Sequence, residues 1–205
     1  MLSLEPVKLQ AIMSSFLRTA LAMAAIFPTG CANVDTQPTL VYPQSDAQAF
    51  APKHKQIILA PFLDHRADKT NVGIVDSVFG LRSTHVVPTN DVREWVMEAV
   101  KTELQNSGYV VTEGATPKDT LPGASAAVMG VIVDVSCNSG DSGKVSLIGK
   151  IRRAGTEVLN KKYAANGSVK SVLKSGPESC AQSLTIALAA SVKRFVADVD
   201  GMLGG

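Results

Sequence analysis

Apolar residues fall in short blocks separated by polar turns, and their period changes along the chain. Ile57-Ile-Leu-Ala-Pro-Phe62 is nearly continuous and carries Pro61 near its end, which predicts a short strand buried on both faces. Leu63 to Gly80 reads as a loop with a charged start, and Thr84 to Val87 as a short strand before Pro88. The clearest helical period begins at Asn90 or Asp91. Val92, Trp95, Val96, Ala99, Val100 and Leu104 share one face, while Arg93, Glu94, Glu98, Lys101 and Gln105 take the other. Asp91 and Glu94 stand at capping-box spacing at its start, and Gly108 is a C-terminal stop. Tyr109 to Thr112 reads as a strand. After a polar loop to Gly123, Ala127 to Val135 is a strong strand that is apolar on both faces. Turn residues fill Asn138 to Gly143. The next strand alternates, with Val145, Leu147 and Ile151 on one face and Lys144, Ser146, Lys150 and Arg152 on the other. Arg153-Ala-Gly155 turns into another alternating strand, Glu157 to Val169. Ser175 and Glu178 are spaced to cap a last helix striped by Leu184, Leu188, Val192, Phe195 and Val199.

This order predicts an α+β two-layer sandwich: a mixed, mostly antiparallel sheet with two amphipathic helices packed on one face. Ile58 and Ile148 point to the opposite sheet face, so that face is expected to be covered or to meet a partner.

Upstream of the domain the pattern is different. Arg18 precedes the uncharged run Thr19 to Phe27, then Pro28-Thr-Gly-Cys31. A cation, a short apolar run and small residues before a cysteine resemble a bacterial lipoprotein export signal with its lipobox. The run is far shorter than the roughly 20 residues a transmembrane helix needs. Met13 offers an alternative start that leaves Met13 to Arg18 as a compact positive region. Pro28 stands where lipoboxes usually carry an aliphatic residue. The alternatives are an ordinary signal peptide, or a buried amphipathic helix followed by a chance Gly-Cys. The lipobox resemblance implies cleavage before Cys31, which becomes the lipid-bearing (palmitate-carrying) first residue. Ala32 is not the Asp that commonly retains lipoproteins in the inner membrane, so the implied destination is the outer membrane, with the domain facing the periplasm. The organisation expected is residues 1–30 as signal peptide, 31–55 as a flexible tether rich in Pro, Gln, Asp, Ser and Thr, and 56–205 as one periplasmic domain.

Removing Glu5, Lys8 and Arg18 with the signal leaves 18 basic and 17 acidic residues. That balance gives no footprint for nucleic acid, and no run of cations adds a second membrane signal. Cys137 and Cys180 are an even pair in an oxidising compartment and are candidates for a disulfide; the alternative is two separate buried thiols.

Candidate chemistry is sparse. Asp64, His65, Arg66, Asp68 and Lys69 cluster after the first strand, a position suited to a recognition loop in which Arg66 grips a carboxylate or phosphate. The alternative is a solvated turn in which Arg66 pairs with Asp64 or Asp68. His54, His65 and His85 lack the three- or four-residue spacing of helix-borne metal ligands, so neither a metal nor another cofactor is expected. No nucleophile elbow or phosphate loop is present in the sequence. Trp95 sits on its helix's apolar stripe and is expected in the core. Asp134, interrupting a buried strand, is expected at an exposed end or beside a cation.

Residues from about Gln56 to Asp200 resemble the YajG-like bacterial lipoproteins. The resemblance rests on Ala60-Pro-Phe-Leu-Asp-His-Arg66, Val72-Gly73, Thr89-Asn-Asp-Val-Arg-Glu-Trp-Val96, Glu103-Leu104 before Gly108-Tyr109, and the terminal amphipathic helix. It implies a periplasm-facing, lipid-anchored domain without established enzymatic activity, of the kind of small α/β module found in the TolB amino-terminal domain. The expected function is therefore that of a non-enzymatic lipoprotein held to the membrane by its lipid and docking a protein of the envelope. An accessory role in envelope transport, handling lipid or a small apolar ligand, is the alternative, and a hydrolase using Asp64 and His65 a third.

Overall fold

The structure is a computed structural model that describes residues 37–44, 52–76, 83–114, 124–138, 141–169 and 176–203. The chain divides into two units, residues 1–33 and 34–205, and every described residue belongs to the second. Eight strands form one mixed sheet: β1 (Gln56–Leu59), β2 (Leu63–Asp64), β3 (Gly73–Asp76), β4 (Ser83–His85), β5 (Val110–Glu113), β6 (Ala126–Asn138), β7 (Ser142–Arg153) and β8 (Thr156–Ser168). Helix α1 (Val92–Asn106) lies between β4 and β5, and helix α2 (Pro177–Leu203) follows β8.

Strand β6 is the spine. On one edge it pairs with β7, and β7 with β8, in long antiparallel ladders. On the other edge β1, β2 and β3 dock one after another, all parallel to β6, at Ala126–Val128, Val131–Ile132 and Cys137–Asn138. Strand β5 adds parallel to β1, and β4 antiparallel to β3. The fold is therefore α+β with a curled mixed sheet, in which four of the seven strand pairings are parallel. The expected loop after Phe62 holds two of these strands. Each is only two to four residues long, too short to show a period, and each is strand because β6 offers it unpaired backbone.

Helix α1 begins as its capping pattern dictates: Asp91 is the N-cap, its carboxylate accepting from the Arg93 amide at 2.7 Å. It stops at Ser107, and Gly108 follows at φ 88°, the left-handed position that favours glycine. All six residues of its expected stripe are buried, Trp95 among them. Helix α2 starts with Pro177 at its first position, where a missing N–H costs nothing; Ser175, the expected cap, lies outside the described residues. Its whole expected stripe is buried, joined by Cys180, Ser183, Ala187, Ser191, Val196 and Leu203.

Two pairs of glycines, each directly opposed across a ladder, let the helix side pack closely. Gly130 faces Gly149 across β6–β7. A Cβ on Gly149 stands 2.5 Å from the Phe195 ring, and one on Gly130 stands 2.7 Å from Phe62 Cζ. Gly143 faces Gly167 across β7–β8, where α2 itself presses down at Ser183 and Leu184. Glycine inside a strand here marks close approach of another backbone or ring.

The opposite sheet face is the one expected to need a cover. Leu63 pairs with Val131, Ile74 with Asn138 and Val110 with Gln56, positions of opposite parity to the core residues Ile132, Cys137 and Ile57. All three are exposed, Leu63 and Val110 to 57 %. Ile58 on this face is buried, and Ile148 half-buried. On the β8 edge the turn Ala154–Gly155 joins Arg153 to Thr156 with φ 48° and 81°, the two-residue hairpin geometry that requires left-handed backbone at both positions. Ala154 carries a Cβ there. Ala154→Asn is expected to raise the unfolding free energy by about 1 kcal/mol, because Asn tolerates this region better. Urea unfolding at matched m-values checks it.

One part of the segment read as a free tether is not free. Leu40 and Tyr42 are buried members of the core. The Leu40 amide donates to Asn90 Oδ1 and Asn90 Nδ2 returns a bond to the Leu40 carbonyl, both at 2.9 Å. The Thr89 amide donates to the Pro38 carbonyl at 3.1 Å, Thr185 Oγ1 to the Val41 carbonyl at 3.3 Å, and Tyr42 Oη to Glu103 at 2.5 Å. Burial foremost, with Glu103 adding to it, pushes the Tyr42 phenol well above its usual range, so it stays a donor. Pro38 and Pro43 give this stretch its polar, linker-like composition, but Leu40 and Tyr42 between them find apolar pockets and overrule it.

Candidate functional site

Asp64 to Thr70, with the start of helix α1, is the region where polar side chains converge. Strand β2 holds Asp64 against Ile132 of the spine, so the loop leaves a fixed point. Arg66 is buried to 6 % exposure, unusual for a cation, and its donors are engaged internally. Nε and Nη2 donate to the two Asp64 oxygens at 2.9–3.2 Å, Nη2 also to the Lys69 carbonyl at 2.8 Å, and Nη1 to the Asn71 carbonyl at 3.5 Å. The Arg66 amide donates to Asp64 as well. Asp68 closes the rest of the loop by accepting from the Thr70 amide and hydroxyl and from the Asn71 amide. Arg66 thus spends its fork on its own loop, which is the self-paired arrangement among the two readings of this cluster.

The carboxylates carry the mark of that arrangement. Burial works to raise the Asp64 pKa, but hydrogen bonds and charge from Arg66, with Lys69 beyond, hold it below the usual range. Backbone and side-chain bonds from Asn71 and Thr70 lower Asp68. Folded-state values below the unfolded ones mean that this contribution is complete above the ordinary carboxylate range, near pH 4, and is lost as pH falls through the depressed values. Arg66→Ala leaves Asp64 largely buried without its partner and is expected to cost about 2 kcal/mol at pH 7. That deficit should shrink as pH falls below the ordinary carboxylate range, because the parent then loses the contribution that the variant already lacks. Chemical denaturation at pH 7 and pH 3.5 measures both.

Beside the loop lies an open cleft of about 650 Å³, walled by Phe62 to Arg66, Lys69, Thr70, Val87, Pro88 and Asn90 to Arg93. The first turn of α1 opens into it, but Asp91 already caps that turn, so a ligand anion would meet a carboxylate. Lys69 and Arg93 are exposed cations of the cleft, and Arg93 stands 3.6 Å from Asp91. Asp134 sits next to a β-bulge and pairs with Lys144 at 2.9 Å, the cation partner expected for it. Among the described residues no group of three or more His, Cys, Asp or Glu side chains is placed to hold a metal ion.

Cys137 and Cys180 form a disulfide with Cα atoms 5.7 Å apart. It fastens the first turn of α2 to the end of β6, and Gly73 of β3 lies against Cys137, where a Cβ would overlap the sulfur. A second polar cluster, not singled out in the sequence, joins β8 to α2. Asp198 accepts from Lys161 Nζ at 2.7 Å and from Tyr163 Oη at 2.6 Å, and these bonds lower its pKa. The residues lie 35 and 37 positions apart, with no local pattern to connect them. Its visible role is to lock the edge strand to the helix.

No known family profile matches the chain, and no curated protein is detectably similar in sequence. Solved structures do match. An uncharacterized protein, at 8 % identity, aligns over 80 % of this chain and 99 % of its own with a TM-score of 0.57. A DUF330 protein from Xanthomonas campestris, at 11 % identity, aligns over 82 % of this chain and 96 % of its own with a TM-score of 0.50. At such identities the likeness establishes a common fold and nothing finer. Among the described residues no helix is long and apolar enough to cross a membrane.

Proposed function

We propose that the protein is a non-enzymatic, lipid-anchored lipoprotein of the cell envelope, related to the YajG-like lipoproteins. In this reading Cys31 carries the lipid in the outer membrane, and the domain faces the periplasm and docks a protein component of the envelope. The observation that carries it is the pairing of Cys137 with Cys180 in a domain that follows an export-like segment ending at Cys31. Such bridges persist in oxidising compartments and are rare in the cytosol. The internal pairing of Asp64 and Arg66 supports a structural role for this loop. Val110, 57 % exposed on the sheet face away from the core, is an apolar position open to a protein partner.

Cys31→Ser separates anchoring from folding. The expected result is loss of metabolic palmitate labelling and release of a folded domain into the soluble periplasmic fraction; labelling that survives the substitution contradicts the anchor. A photo-crosslinker at Val110 in intact envelopes is expected to capture a reproducible protein adduct, and its absence contradicts the docking role.

A further inference from the structure

We propose that the docked segment Pro38–Tyr42 acts as an orienting strap, holding the end of the domain that contains the Asp64–Thr70 loop towards the bilayer that carries the lipid. This rests on the reading that Cys31 is lipidated. The strap enters the domain beside the start of α1, where the Thr89 amide meets the Pro38 carbonyl and Asn90 clasps Leu40, and it runs along the helix to Tyr42 at Glu103. Asn90 to Arg93 also wall the cleft that contains Lys69, so strap entry and loop share one end of the molecule.

The other end is identified as clearly. At the far terminus of α1 the Gly108 carbonyl accepts from the Lys53 amide. Lys55, Arg153, Ala154 and Leu203 gather at that same end. A 15-residue helix separates the two ends by about 22 Å.

Leash length then favours one orientation. Seven residue steps from Cys31 to Pro38 span at most about 25 Å. Turning the strap end away from the membrane lifts it by at least the roughly 22 Å between the two ends, which needs the leash almost fully extended, so the strap end is the nearer one in most arrangements. A tether free from residue 32 to residue 55 would reach about 80 Å fully extended and would impose no orientation. The partner of the strap end is accordingly the membrane surface itself, and a periplasmic protein is left the Arg153 end and the sheet faces.

The test uses the mature lipidated full-length protein in phosphatidylethanolamine–phosphatidylglycerol vesicles containing a headgroup-linked quencher. A single fluorophore is placed at Lys69→Cys or at Arg153→Cys. The Lys69 site is expected to be quenched several-fold more strongly than the Arg153 site. Inserting about twenty glycine and serine residues between Val34 and Asp35 leaves strap and core untouched and lengthens the leash severalfold, so the difference should collapse. Equal quenching at the two sites in the parent protein overturns the proposal. So does a difference that survives the insertion, because orientation would then come from surface affinity and not from the leash. Mass analysis of the same preparation reports lipid on Cys31 separately, so failure of the anchor is distinguished from failure of the strap.

Discussion

Reducing the Cys137–Cys180 bridge is expected to lower the unfolding free energy by up to about 4 kcal/mol, the chain-entropy value for a closed loop of this length. The sequence separation of 43 residues spans β7, β8 and the first turn of α2, so the unfolded chain gains much freedom when the bridge opens. The folded domain should survive. Leu184, Leu188, Val192, Phe195 and Val199 still bury one face of α2, and that stripe holds the helix without the sulfur link. The paired replacement Cys137→Ala with Cys180→Ala should therefore give a cooperative but weaker transition in urea, and the oxidised parent a higher midpoint. Coincident midpoints for oxidised and reduced protein contradict this.

Gly167→Ala is expected to cost about 3 kcal/mol, at the upper end of typical overpacking penalties. Its Cβ would overlap the Ser183 carbonyl oxygen and lie 2.7 Å from the Ala187 amide nitrogen, both backbone atoms of α2. A rotamer change relieves neither, so the helix must lift off β8 along its first turns. Gly155→Ala is the matched control: it too replaces a glycine on this sheet edge, but nothing lies within 4 Å. Its cost comes from φ 81° alone and should be about 1 kcal/mol. Thermal or urea unfolding of both variants checks the order, and a smaller loss at Gly167 than at Gly155 contradicts the close packing.

The long elements were legible because their periods were. Helix α1, strands β6 to β8 and helix α2 each run for a dozen residues or more and alternate or repeat as their burial does. Strands β2 and β3 were not, since two to four residues carry no period and their pairing belongs to β6. The parallel half of the sheet was hidden for the same reason. Gly143, read as the end of a turn, belongs to β7, and with Gly149 it shares the parity of Val145, Leu147 and Ile151. That parity was the available signal for close packing against α2. Leu40 and Tyr42, spaced by two between prolines, were likewise available as a docked extended segment, but composition pointed to a linker. In the polar loop, residue types indicated ion pairing without choosing its target; burial of Arg66 chose Asp64.

The central claim is that this domain is presented from a membrane by lipid on Cys31. Mass analysis of the amino-terminal peptide of protein isolated from its native envelope tests it most directly. The account predicts a chain beginning at Cys31 and bearing acyl chains on that residue. An amino terminus upstream of Cys31, or an unmodified Cys31 in the mature chain, contradicts it.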